Sequence, residues 1–148
     1  MKCRPSGRAG NVAILMVASF AFYLLTGPVQ ADEDAIAIEL NKTESTEQGC
    51  RPHFLFNNQS GHQLNQFQVE LVLFDQTGVY AKQIRLDMAP LYEGKKVLAS
   101  FLLDDIACDQ IGSMLVNDLP KCANSTGTDL DCLSLLQVSS KSDIALEQ

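Results

Sequence analysis

The chain contains no tryptophan and only two histidines, His53 and His62. It has no Cys-x-x-Cys pair, no Gly-x-Ser-x-Gly elbow and no Asp-x-Asp-x-Asp-Gly loop. These absences remove the spacing that structural zinc, an α/β-hydrolase serine and an EF-hand calcium loop each require. No cofactor or metal ligand set is therefore expected. Apolar runs long enough to cross a bilayer are also missing. The longest predominantly apolar stretch is Val12–Leu25, fourteen residues, against the roughly 20 that a membrane-spanning helix needs.

That stretch has a different meaning. It follows a basic start, Lys2, Arg4 and Arg8, and precedes Thr26-Gly27-Pro28-Val29-Gln30-Ala31, with small side chains at Val29 and Ala31. This is the layout of a secretory signal peptide cleaved after Ala31; the alternative is an uncleaved N-terminal anchor. The expected division is 1–31 signal peptide and 32–148 a single domain. The 117 residues that remain suffice for one real core. The signal carries three of eleven basic residues and no acidic ones, so the mature chain has a formal charge of 8 − 18 = −10. Such a field disfavours nucleic acid and anionic lipid as partners and keeps an exported protein soluble.

Cys3 leaves with the signal. Cys50, Cys108, Cys122 and Cys132 remain, an even number that in an oxidising compartment reads as two disulfides. Three pairings are possible. Cys122 and Cys132 bracket a polar loop that they can close locally, which leaves Cys50 with Cys108 as a long-range bridge.

Period-2 alternation dominates the rest. Ala35–Leu40 reads as a first strand and Asn41–Gly49 as a polar loop. In Cys50–Asn57, Cys50, Pro52, Phe54 and Phe56 share one face. In Leu64–Asp75, Phe67, Val69, Leu71 and Leu73 share one. Val79–Leu86 is its hairpin partner across Asp75-Gln76-Thr77-Gly78. Lys95–Leu102, Ile111–Asn117 and Leu133–Val138 complete the strands, Asp104–Gln110 can hold one helical turn, and Ser139–Gln148 is expected to fray. About seven short strands with turns between them predict an antiparallel β-sandwich. A bridge from the second strand, at Cys50, to the start of the sixth, at Cys108, follows the immunoglobulin pattern. The tryptophan that packs on that bridge and the tyrosine two residues before the second cysteine are both missing, so the domain is immunoglobulin-like rather than antibody-like.

Ile38-Glu39-Leu40-Asn41-Lys42, Gly49-Cys50-Arg51, the run Val72–Val79, and Ile106–Gly112 with Val116-Asn117-Asp118 resemble a group of small uncharacterised exported bacterial proteins. Their members are often labelled Tat-pathway signal-sequence proteins. The resemblance spans roughly residues 38 to 140. It implies a periplasmic setting and brings no activity. Arg4 and Arg8 are not adjacent, so the twin-arginine motif is absent and general secretion is expected.

Few groups remain for chemistry. Asp104, Asp105 and Asp109 form the densest carboxylate cluster, and Asp129 and Asp131 sit in the cysteine loop; all read as solvated turn carboxylates. His53 and His62 are the only side chains suited to acid–base work near neutrality, with Ser60, Ser100 and Ser113 as candidate nucleophiles. Asn41, Asn58 and Asn124 begin Asn-x-Ser/Thr acceptor patterns, relevant only to a eukaryotic secretory route. Lys95-Lys96 beside Tyr92 reads as a charged strand flank that discourages edge pairing. The expected function is a non-enzymatic periplasmic or secreted module binding another envelope protein or a peptide through loops or an edge strand. The alternative is a small-ligand or metal-ion carrier, and an unrecognised hydrolase comes third.

Overall fold

A computed structural model describes residues 35–148. The expected signal peptide, residues 1–31, and its cleavage position lie outside the described residues. The strands are β1 (Ala35–Thr46), β2 (Gly49–Gln59), β3 (Leu64–Asp75), β4 (Tyr80–Asp87), β5 (Lys96–Ser100), β6 (Leu103–Asp104), β7 (Ile111–Asn124), β8 (Leu136–Ser140) and β9 (Ala145–Glu147), with one 3-10 turn at Cys108–Gln110. They form two sheets. One has the order β5-β2-β1-β8, with β6 also paired to β2, and the other β4-β3-β7-β9. The expected sandwich is present, with nine strands in place of about seven.

The inward faces follow the alternation. Ile36, Ile38 and Leu40 of β1 and Phe54 and Phe56 of β2 meet Phe67, Val69, Leu71 and Leu73 of β3, all at 1% exposure or less. No tryptophan fills the centre. Phenylalanines do so: Phe56 and Phe67 cross the sheet interface edge-on at 6.4 Å, and Phe54 lies 6.3 Å from Phe101, within the range of favourable ring pairs. The disulfides are Cys50–Cys108 and Cys122–Cys132. The first joins β2 of one sheet to the turn that leads into β7 of the other, as the immunoglobulin pattern requires.

Three segments differ from expectation. Asn41–Gly49 is not a loop. β1 runs to Thr46 and turns tightly into β2, with Lys42 opposite His53 and Glu44 opposite Arg51 beyond a bulge at Leu40/Lys42. This distal hairpin is largely exposed, so it lacks the apolar alternation that marks a half-buried strand. β7 runs on past Asn117 to Asn124. Its Pro120 falls where the pairing with β3 is interrupted between Glu70–Asp118 and Gln68–Lys121, a bulge that accommodates a residue unable to donate.

The third difference is the C-terminus, which does not fray. β8 pairs parallel with β1, the chain bends through Lys141–Ile144, and β9 pairs parallel with β7. Serines make the bend: Ser140 Oγ donates to the Ile144 carbonyl at 2.6 Å and Ser142 Oγ accepts from the Ile144 N–H at 3.1 Å. Ile144 and Leu146 are buried. The chain thus crosses from one sheet to the other through this bend and covers the gap between them on that side, where β8 and β9 are the end strands.

Candidate functional site at the open edge

The opposite side has no such closure. There the two sheets end in β4 and β5. The ladder direction shows which groups are free. β4 pairs with β3 so that Leu71 faces Ile84 and Glu70 faces Arg85, and in this register the Met88 N–H donates to the Phe67 carbonyl at 2.9 Å. In an antiparallel ladder a residue's N–H and C=O point to the same side and alternate along the strand. Even-numbered residues from Lys82 onward therefore bond to β3, and Gln83, Arg85 and Asp87 turn theirs outward; before Lys82 a bulge at Ala81, where the pairing shifts between Leu73 and Phe74, interrupts the alternation. On β5 the Phe101 N–H donates to Pro52 and Lys95 accepts from Asn58. By the same alternation Lys96, Leu98 and Ser100 face outward.

Between these edges lies a cleft of about 490 Å³. Ile84 and Leu86 from β4, Phe101 from the β5–β6 connection and Leu103 of β6 give it apolar walls, and Lys82, Arg85, Ser100 and Asp104 stand at its rim. Lys82 spans the mouth: its Nζ donates to the Asp104 carbonyl at 2.8 Å. That acceptor is neutral, and no carboxylate lies within 4 Å of the Lys82 ammonium among the described residues. Tyr80, at the start of β4, and Leu98, on β5, are large side chains about 60% exposed.

Arg85 is held differently. Its guanidinium reaches Glu70 at 2.8 Å, and Asn117 Nδ2 donates to the other oxygen of Glu70 at 2.9 Å. Glu70 lies on the outward face of β3 yet is only 6% exposed. The Asn117 hydrogen bond, then that from Arg85, hold its carboxyl below the ordinary value. This network ties β4, β3 and β7 together beneath the edge.

The residues singled out in the sequence do not converge on a reaction centre. His53 faces Glu44 at 3.2 Å on the outside of the β1–β2 hairpin. His62 contributes only its carbonyl, to Asn58 and Ser60. Ser60 is buried and donates to Asn58 Oδ1 at 2.7 Å, Ser113 is on β7, and Ser100 stands at the cleft rim. None of the three shares a hydrogen bond with a histidine ring among the described residues. Asp104 ends β6, Asp105 takes a left-handed φ of 64° and Asp109 lies in the 3-10 turn. No group of three or more His, Cys, Asp or Glu side chains placed to hold a metal occurs among the described residues. Asn58 is fully buried and donates to the His62 and Leu91 carbonyls, which closes that acceptor position to a glycan. Lys95 sits over the Tyr92 ring at 5.2 Å, and Lys96 occupies the edge strand.

The cleft escapes sequence reasoning because pairing partners decide which strand is an edge. One signal was present: Lys82, Arg85, Lys95 and Lys96 are four of the eight cations after residue 31, and all lie on β4, on β5 or one residue before it. No protein-family model, curated protein or solved structure matches this chain.

Proposed function

We propose that this is an exported, non-enzymatic β-sandwich that binds an extended segment of another envelope protein by strand addition to β4. The observation that carries this reading is the outward row of main-chain donors and acceptors on β4 beside an apolar cleft between the two sheets. Strand addition obtains affinity from such a row and specificity from side-chain pockets next to it. Export is supported by the leader-like composition of residues 1–31, by the two disulfides and by the resemblance to small exported bacterial proteins. A small-ligand carrier is the second reading, favoured by the cleft volume, which falls in the usual range for ligand pockets.

The test is affinity capture from the cell envelope with two baits, the unaltered domain and Gln83→Pro. The substitution removes an outward N–H and the Gln83 side-chain bond to Glu70 but spares the main-chain ladder to β3, because proline is tolerated on the free side of an edge strand. A partner retained by the first bait and lost by the second is the expected result. Identical capture by both, with unchanged melting of the variant, overturns the site. Asp87→Pro, which removes another outward N–H beyond the bulge, serves if Gln83→Pro lowers the melting temperature.

A further inference from the structure

The register of β4 also defines what the added strand must look like. Resting on strand addition at this edge, we infer that the occupant is an extended segment in which an acidic residue lies two positions from one apolar residue and four from a second. On the cleft side β4 presents Lys82, Ile84 and Leu86 in succession. Residues directly opposite one another in a ladder share a face. The inward positions of an added strand therefore meet an ammonium, a half-buried isoleucine and a buried leucine, in that order. Running antiparallel, the segment reads apolar-x-apolar-x-acidic; running parallel, it reads acidic-x-apolar-x-apolar.

Charge selects the acidic position. Lys82 has three donors and uses one, on the Asp104 carbonyl. A carboxylate can take a second while that bond is kept, and its charge would meet an ammonium that has no carboxylate within 4 Å among the described residues. Arg85, the other cation of β4, is already engaged by Glu70 and faces the outer side, so it adds nothing to the inward pattern. The apolar positions follow from the walls. Phe101 and Leu103 close the cleft from the other sheet, and two apolar side chains inserted there would extend the contact between the sheets. A second copy of the chain is a poor occupant, since it brings Lys82 and Arg85 to an edge that already carries them and a further formal charge of −10 after residue 31.

The experiment uses the disulfide-intact domain and two capped seven-residue peptides. The first has valine, threonine, valine, threonine and glutamate in its central positions; the second has glutamine in place of the glutamate. Titration is followed by amide chemical shifts and hydrogen exchange. The expected result is protection of the Gln83 and Arg85 amides by both peptides, with the glutamate peptide about tenfold tighter. Lys82→Gln should abolish that preference while leaving the glutamine peptide unaffected. Protection of β4 with equal affinity for both peptides overturns the acidic position and leaves strand addition standing. Shifts confined to the cleft walls with no β4 protection, or no binding of either peptide, overturn strand addition itself. Concentration-dependent protection of β4 without peptide identifies a second copy as the occupant and overturns the inference.

Discussion

Two residues show how little side chain can decide the local structure. Gly49 opens β2 at φ +150°, and a Cβ there would collide with the Leu103 carbonyl oxygen, which β6 places against it. Both the backbone conformation and the close approach exclude a side chain. Gly49→Ala should therefore destabilise the domain by about 1–3 kcal/mol, read as a lower urea midpoint at unchanged slope. Glu70 is the second. Its carboxyl is held below the ordinary value of 4.5 by Asn117 and Arg85. A group depressed in the folded state contributes stability that is fully present above its unfolded value and is lost as pH falls through its folded value. Glu70→Gln should then be less stable than the parent at pH 7, and the gap should close as the pH is lowered past 4.5. A gap that persists unchanged at pH 3 would assign the effect to packing. Neither role was legible in the chain. The outward position of Glu70 in an alternating strand reads as solvent-exposed, and only the neighbours from β4 and β7 bury it.

Among the elements, legibility tracks burial. β3 begins and ends at Leu64 and Asp75, as its alternation predicts, because one face is wholly core. The distal half of β1 is invisible to the same logic, since no buried face imposes a period. The C-terminal strand is invisible for another reason: Ala145–Glu147 is three residues long, too short to show a period, and its burial of Ile144 and Leu146 depends on a serine-built bend. Removing residues 144–148 should cost stability rather than trim a loose end. Burial of two large aliphatic side chains corresponds to roughly 3–6 kcal/mol, which differential scanning calorimetry would detect as a lower transition temperature. The bridges belong to this scale too. Loss of Cys50–Cys108, which spans 58 positions of sequence, should cost about 3–5 kcal/mol. The Cys122–Cys132 bridge closes a polar loop, yet it does not tie a surface loop alone. Both cysteines belong to the core, at 7% and 1% exposure, with Cys122 opposite Phe67 in the ladder. Replacing both with alanine should therefore add a packing loss to the roughly 2.5–3 kcal/mol expected for a loop of this length, and urea unfolding of the two double variants compares them directly.

For the whole molecule, the distribution of charge matters more than its total. Half of the cations after residue 31 lie on β4, on β5 or one residue before it, the strands that end the two sheets on the cleft side. A free edge with an apolar cleft beside it is a template for pairing with any other free edge, and lysine on the edge is a common means of preventing that. Two copies approaching edge to edge would place Lys82, Arg85 and Lys96 against the same residues of the other copy, and like charges across a ladder are unfavourable. A partner that carries the opposite charge at the facing position meets no such penalty, so on the proposed reading the lysines that oppose edge-to-edge pairing would admit an acidic strand. Replacing both Lys82 and Lys96 with threonine keeps strand propensity and removes the barrier on both edges. The double variant should shift from monomer toward dimers and larger species as concentration rises, seen by sedimentation velocity, and the shift should be stronger than in either single variant. Raising the salt concentration should move the unaltered protein in the same direction, because screening weakens exposed charge repulsion. A double variant that stays monomeric at every concentration would mean that the edge is protected by its twist or by the β4 bulge at Ala81 and not by its charge.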